Sequence, residues 1–551
     1  GIAQAHMYEL ADLLAVCPKC SDPQYEGVYA LRANIDEMIN DFVTREHFSL
    51  PEGVALTEAL KENIFCTVAC IQTRIPLGIV GQPGSSKTLS FHIVRDNLRG
   101  EHSVRLFCKQ FVAIDSFFYQ CSEQSTSEQV ASVFDNAIER QNFYNQQASQ
   151  ERENVRRSHV KFVNNEPVVE EVVSEAGAQQ SKVSTHCVVF LDEAGLPTEE
   201  KSKMVLKVLH PYLDDRKVAF VALSNHWFDA ANANRMVTLY RSQADLKDLV
   251  ALALGCIKRG GPQAGETSAS NDEQLYITGL CEGYQDVTRD AAFAKLFHHR
   301  DLIYLLRHHY RNQLLHNKRQ IPRNPNILLE ALEENFGGMV NPDDFCRLAD
   351  MFFSAVARHV DNYPTNISDG RFSLRNTVKI LRDINVGNRH VNEQEFLRTG
   401  HPLAPRFRMI IDPTDDYTAL DIMRKMNLVD SHKTHVIHMS NLSGDEDELH
   451  SAEILARIRR FLEMDCTIVL VETRRVHGSL YELLNQTFRV IHNDGGRHIY
   501  ANIAVGATTY PCRVNPHFQC VVILKHTEME NSPTPFLSRF SKFVLRPMDA
   551  M

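Results

Sequence analysis

From Ile75 onward, short apolar runs alternate with segments of helical period. Residues 77–80, 112–114, 187–191 and 218–223 are such runs. Strands of this kind separated by helices predict a parallel sheet, here over residues 55–240. Before it, Leu10, Leu13, Leu14 and then Leu31, Ile35, Met38 and Ile39 recur at helical spacing, which predicts that residues 1–54 are the helical end of a preceding unit. Residues 141–182 carry many Gln, Asn, Glu and Arg and few large apolar side chains, the pattern of a long mobile insertion within the first sheet. Helical period then dominates residues 241–400, predicting a helical lid subdomain. A second α/β texture fills 401–551, with strands expected at 407–411, 434–439, 467–471 and 520–524 and a helix at 446–464. This second module is expected to be truncated.

Composition narrows the partners more than the fold. The 551 residues suggest three or four structural units at roughly 150 residues each. A net charge of -10, from 59 basic and 69 acidic residues, gives no global reason to bind nucleic acid or an anionic membrane. Thirteen scattered cysteines do not form the dense even framework of a secreted domain, and a reducing compartment is expected. No apolar run approaches the roughly 20 residues of a transmembrane segment, so none is expected. The start, Gly1-Ile2-Ala3, has no initiator Met and no signal-like core, which reads as a fragment of something longer. Cys17-Pro-Lys-Cys20 is a lone CxxC without a second ligand pair nearby, and a plain turn explains it better than zinc.

The chemistry is concentrated in a few strand tips. Leu77-Gly-Ile-Val-Gly81-Gln-Pro-Gly84-Ser85-Ser86-Lys87-Thr88 is an apolar strand, a Gly-rich turn and a helix start, the context of a Walker A loop. There backbone N–H groups and a helix N-terminus receive phosphates, the Lys ammonium reaches the terminal ones and the Thr hydroxyl binds Mg²⁺. The strict pattern has Gly before the Lys, where this chain has Ser86. Residues 187–191 then run into Asp192-Glu193, 105 residues after Lys87. Asp192 is placed to hold Mg²⁺ and Glu193 to polarise the attacking water. A solvated Asp-Glu at a strand end is common, and only its combination with the upstream loop gives the pair weight. Ser224-Asn225 ends the next run, and Asn225 fits an AAA+ sensor position, with helix capping as the alternative. Arg300, in His298-His-Arg-Asp301, opens a helix from which it can reach the γ-phosphate; a surface ion pair with Asp301 is the competing reading.

These segments resemble the mysterin family of giant RING-finger E3 ubiquitin ligases with a dynein-like AAA+ core. The resemblance is carried by the 80–88 loop, by Leu191-Asp-Glu-Ala-Gly-Leu-Pro197 and by Leu223-Ser-Asn-His-Trp-Phe-Asp-Ala-Ala-Asn-Ala-Asn-Arg235, which are similar to the family's fourth AAA+ unit. Val471-Glu-Thr-Arg-Arg-Val-His477, Cys512-Arg-Val-Asn-Pro-His-Phe518 and Pro535-Phe-Leu-Ser-Arg-Phe540 are similar to its fifth. It implies a single-chain ring of six units of which only some handle ATP, neighbouring AAA+ units as partners, ubiquitin machinery in other regions, and a cytoplasmic location with lipid-droplet association. No RING-type ladder of Cys and His ligands occurs here.

The expected architecture is therefore an AAA+ P-loop α/β sheet with a helical lid, followed by a degenerate AAA+ α/β module. Expected ligands are ATP and Mg²⁺, the latter on Thr88 and Asp192. The loop equivalent in the second module, Asp412-Pro-Thr-Asp-Asp-Tyr417, has no Gly and no Lys, and Val471-Glu472 lacks the Asp-Glu pair, so this module should not bind ATP. Arg539 occupies the place in the second module that Arg235 has in the first. Arg539 is expected to face the site of Lys87, Asp192 and Glu193 as a catalytic arginine, and Arg235 the site of a preceding unit.

Overall fold

The apolar runs at 77–80, 187–191 and 218–223 become buried strands, whereas the longer run 249–257 is helical. In the computed structural model, described residues are 28–51, 54–121, 125–158, 160–163, 166–169, 185–197, 205–257, 270–315, 323–368, 372–389, 406–439, 448–486, 488–493, 496–505 and 508–550. The first unit has β1 (Leu77–Gly81), β2 (Ala113–Gln120), a separate hairpin β3 (Val160–Val163) and β4 (Glu166–Val169), then β5 (Thr185–Asp192), β6 (Ala219–Ser224) and β7 (Val237–Arg241). Its main sheet runs β2-β5-β6-β1-β7, with every pairing parallel. The second unit has β8 (Arg408–Asp412), β9 (Thr434–His438), β10 (Thr467–Val471), β11 (Arg489–Asn493), β12 (Gly496–Val505), β13 (Thr508–Val514), β14 (Gln519–Lys525) and β15 (Ser541–Val544). Its sheet, β15-β8-β14-β10-β9, is also parallel and repeats the first order, each unit's first strand lying between its fourth and fifth. The antiparallel sheet β11-β12-β13 is inserted between its third and fourth parallel strands. This is the doubly wound α/β architecture of AAA+ units, present twice.

Three of the sequence expectations shift. The polar stretch from Gln141 begins inside the helix Ser127–Ser158, and residues 159, 164–165 and 170–182 lie outside the described residues. Gln141 is buried, accepts from the Cys187 amide at 2.8 Å and donates to the Thr185 carbonyl at 3.0 Å, so this part of the helix pins the start of β5. The lid, expected to continue to residue 400, gives way earlier. Helix Thr377–Arg389 packs Val378, Leu381 and Ile384 against Ile410 and Val521 of the second sheet. It stands to β8 as helix Glu58–Thr73, with Leu60, Ile64 and Val68 on the first sheet, stands to β1. The fifth strands β7 and β15 were not foreseen, because each is short and mixes apolar with polar residues.

Between the sheets, helices Leu246–Ile257, Asn271–Arg289, His299–Leu315, Pro325–Asn335 and Pro342–Ala357 close around Tyr276, Phe297, Phe336, Phe352 and Phe353. Asn324 and Asn341 cap two of them, each followed by Pro in the first turn, where its missing N–H costs nothing. The lid docks on the second unit: Leu296 and Val340 pack against the core around Phe536 and Phe540. The second unit also touches the first sheet directly, Thr509 Oγ1 donating to the Phe118 carbonyl at 3.4 Å. Residues 1–27, including Cys17 and Cys20, lie outside the described residues. Among the described residues no helix is long and apolar enough to cross a membrane.

Candidate functional site

At the C-terminal edge of the first sheet, β1 enters a five-residue loop and then helix Lys87–Asn97. Gly84 has φ +89, and a Cβ there would lie 2.7 Å from the Cβ of His299 on the lid, so only glycine fits both the backbone and the approach. Ser86 is left-handed at φ 59, a conformation costing an L-residue roughly 1–2 kcal/mol. The loop therefore keeps the shape that the expected glycine would have given, at a local strain. The first amides of the helix have no intrahelical acceptor and point toward the loop, as at any helix start. Lys87, 8% exposed, turns back and donates to the carbonyls of Gly81 at 2.6 Å and Gln82 at 2.9 Å, and to Asn225 Oδ1 at 3.1 Å. Burial pushes its ammonium down to about 8, against the pull of Glu193 and Asp192.

The β5 tip brings the carboxylates alongside. Thr88 Oγ1 lies 3.4 and 3.5 Å from the two carboxylate oxygens of Asp192. Burial, reinforced by the neighbouring Glu193 charge, holds Asp192 well above the usual carboxylate range. Glu193 is left-handed at φ 53, which turns its side chain toward β6, where Asn225 Nδ2 donates to Oε2. Oε1 of Glu193 accepts from Arg539 Nη2 at 3.1 Å. Arg539, 3% exposed, belongs to the second unit; its Nη1 donates to the Pro535 carbonyl and its guanidinium carbon lies 3.6 Å over the Tyr481 ring. Arg300 is half-buried at the lid helix start and donates to Asn485 Oδ1 at 2.7 Å. Burial and the repulsion of Arg539 lower it to about 10, while Glu193 and Asp192 oppose the shift.

The expected residues Gly81, Gly84, Ser85, Ser86, Lys87, Thr88, Asp192, Glu193, Asn225, Arg300 and Arg539 thus meet in one place. Asp301 and Arg235 lie outside this group. Asp301 is not a surface partner of Arg300, because it is fully buried and pairs with Arg406 at 2.7 Å. Arg235 stands apart from this site, its guanidinium bonded to Asp214 at 3.1 Å and to the Ala231 carbonyl at the surface.

Other residues at the site carried no sequence motif. Arg241, at the β7 tip, donates to Glu62 and, at 2.7 Å, to Asn63 Oδ1, while Asn63 donates to the Ser85 carbonyl at 3.3 Å. This relay ties the loop to helix Glu58–Thr73. A cavity of about 310 Å³ opens beside the loop, lined by Glu58, Tyr240, Arg241, Asp245 and His299. It is large enough for a purine base. Tyr481 and Asn485, which brace the two arginines, lie in the second unit, where only folding reveals their neighbours.

Comparison with known proteins follows this division into units. One RNF213 AAA domain model matches residues 53–163 and 161–248, and another matches 403–551. Together they cover more than half of the chain, one on each α/β unit. Human E3 ubiquitin-protein ligase RNF213 is 26% identical over 527 residues, covering 92% of this chain and 9% of that protein. A putative uncharacterized transmembrane protein of Dictyostelium discoideum is 27% identical over 542 residues, covering 90% and 8%. The chain therefore spans under a tenth of the length of these relatives. Among solved structures, Thermotoga maritima RuvB aligns at 11% identity with a TM-score of 0.28, over 51% of this chain and 69% of that one. A likeness so low adds nothing to what the strand order already states. With an RNF213 AAA domain matched on each of two units of the same sheet order, the chain belongs to the RNF213, or mysterin, family of AAA+ proteins.

Proposed function

We propose that the first unit binds ATP with Mg²⁺ at a Walker A loop formed by residues 81–88 and hydrolyses it, and that Arg539 completes the site from the second unit. The observation that carries this reading is the convergence of Lys87, the Thr88–Asp192 contact and the Glu193–Asn225 pair at the tips of β1, β5 and β6. Gly81, Gly84, Ser85 and Ser86 shape the loop so that backbone amides and the helix start receive phosphates. Lys87 exchanges its carbonyl partners for phosphate oxygens. The hard oxygen donors of Thr88 and Asp192 suit Mg²⁺, which supplies neutralising charge to phosphate oxygens when bound. Glu193 accepts the proton of the attacking water, Asn225 orients that water, and Arg300 and Arg539 stabilise the charge that develops.

Equilibrium binding of an ATP analogue and steady-state phosphate release test the reading. Lys87→Ala should weaken binding at least tenfold, in line with about 1.5–3 kcal/mol for a charge-assisted contact. Unchanged affinity in the folded variant ends the proposal. Glu193→Gln should bind and not turn over.

A second reading is a scaffold that holds ATP with little turnover. It is favoured by the engagement of both Glu193 oxygens, by Asn225 and by Arg539, since each hydrogen bond stabilises the ionised carboxylate and makes it a weaker base. Phosphate release by the unaltered chain no faster than by Glu193→Gln would select the scaffold. For the whole protein, we infer from the family a single-chain ring with neighbouring AAA+ units, ubiquitin transfer by regions outside this chain, and a cytoplasmic site with lipid-droplet contact.

A further inference from the structure

The two arginines of the site stand on different units, yet their backbones are held by one buried cluster. Asp301, wholly buried, directly follows Arg300. Its Oδ2 accepts from the His298 amide at 2.7 Å, which fixes the first turn of the helix that carries Arg300. Its Oδ1 accepts from Arg406 Nη1 at 2.7 Å and lies 3.5 Å from Lys542 Nζ. Arg406 Nη1 also donates to the Ser538 carbonyl at 3.2 Å, the peptide group that leads into Arg539. Lys542 Nζ donates to the Leu537 carbonyl at 3.5 Å, in the same turn. Arg406 Nη2 returns to the lid, donating to the Asn335 carbonyl at 3.3 Å. The guanidinium ends are braced in parallel: Asn485 accepts from Arg300, and Tyr481, four residues earlier, lies beneath Arg539.

Burial works to raise Asp301, but the charges of Lys542 and Arg406 outweigh it and hold the carboxyl ionised. A buried ionic cluster adds little net stability over well-packed apolar residues, because desolvation offsets the attraction. Directional contacts to two backbone segments are what apolar residues could not supply.

We propose that Asp301 is a positioning residue of the nucleotide site, setting Arg300 and Arg539 in register with each other through Arg406 and Lys542. The proposal rests on the nucleotide reading above.

The test uses the full 551-residue chain and the ratio of affinities for ADP–aluminium fluoride, which mimics the transferring phosphoryl group, and for ADP alone. The triple variant Asp301→Leu/Arg406→Met/Lys542→Met replaces the ionic cluster by apolar side chains. Its thermal midpoint should stay within a few degrees of the parent and its ADP affinity within threefold, while the ratio falls at least tenfold. Should the triple variant not fold, Asp301→Asn at a temperature where circular dichroism shows it folded is expected to lower the ratio at least threefold. An unchanged ratio in the folded variant, or a loss of both affinities in step, overturns the proposal. Absence of ADP binding by the parent chain is a separate outcome, which ends the nucleotide reading and this proposal with it.

Discussion

The two units share a backbone and differ in what stands at its strand tips. Strand register aligns Gly81 with Asp412, Asn225 with Lys525 and Asp192 with Val471. Even the unusual backbone is retained. Tyr417, before the second helix, has φ 66 where Ser86 has 59, and Glu472 and Glu193 both have φ 53. In the second unit, however, Asp412 sets its own carboxylate on the Ala419 amide at 2.9 Å, occupying a helix start that would otherwise receive a phosphate. Glu472 accepts from Tyr417 at 2.5 Å and from Lys525 at 3.1 Å, so the pocket is closed by its own side chains. Burial tends to raise Glu472, but the hydrogen bonds from Tyr417, Lys525 and His438 outweigh it and hold its carboxyl below the usual range. The comparison teaches that sheet, loop shape and apolar core persist without the chemistry, which a handful of polar tips decides.

The largest effect that would break this contrast falls on the residue that joins the units. Arg539→Ala should slow phosphate release by roughly 10³ or more while leaving ATP affinity within a few-fold, since an arginine of this kind acts on transition-state charge. Equal release rates with the seam intact would make Arg539 structural.

Stoichiometry sharpens the contrast next. One nucleotide should bind per chain, and Lys87→Ala should abolish that binding rather than halve it. Asp412→Gly/Thr418→Lys should not create a second site, because Val471 still offers no carboxylate; calorimetry reporting two sites would refute the division of labour.

Titration gives a smaller, graded difference. With Asp192 pushed up to about 7 by burial and by Glu193, and Lys87 down to about 8 by burial, kcat/KM should rise as pH increases through about 7 and fall above about 8. Asp192→Asn should remove the acid limb. For stability the sign is the opposite of a paired carboxylate. A raised folded-state value favours the folded chain fully below pH about 4, and this contribution is lost as pH rises toward about 7. Thermal scans of the nucleotide-free chain should therefore show a decline over that window that Asp192→Asn lacks.

The smallest effect concerns the loop itself. Ser86→Gly should raise stability by up to about 1 kcal/mol through relief of left-handed strain, with nucleotide affinity preserved. A destabilised variant would show that the Ser86 side chain contributes more than its backbone costs.

Most of the site was legible because its parts are local. The loop from Gly81 to Thr88 and the Asp192-Glu193 pair are short strings whose chemistry follows from residue type and neighbouring pattern. Arg539 was placed by its repeat position, after the fourth expected strand of the second module as Arg235 is in the first; in the structure each lies two residues before a fifth strand. The relay from Arg241 through Asn63 to Ser85 was invisible, since it joins positions 178 residues apart with no motif at either end. The edge strands β7 and β15 were hidden for related reasons: half-exposed β7 does not write a continuous apolar run, and β15, though buried, is four residues long and opens with Ser541 and Lys542.

The sequence by itself determined two α/β units, a helical segment between them, and which of the units carries a glycine-rich loop ending in Lys87-Thr88. Those properties depend on periodicity and on residue type within a few positions, information that a linear string holds. Only the tertiary structure decided that Asn485 and Tyr481 brace Arg300 and Arg539, that Asp301 turns away from Arg300 to meet Arg406 and Lys542, and that Asp412 fills its own helix start. Those outcomes depend on which distant side chains share a low-dielectric space after the apolar faces have packed, where an unpaired charge is costly and a paired one fixes geometry.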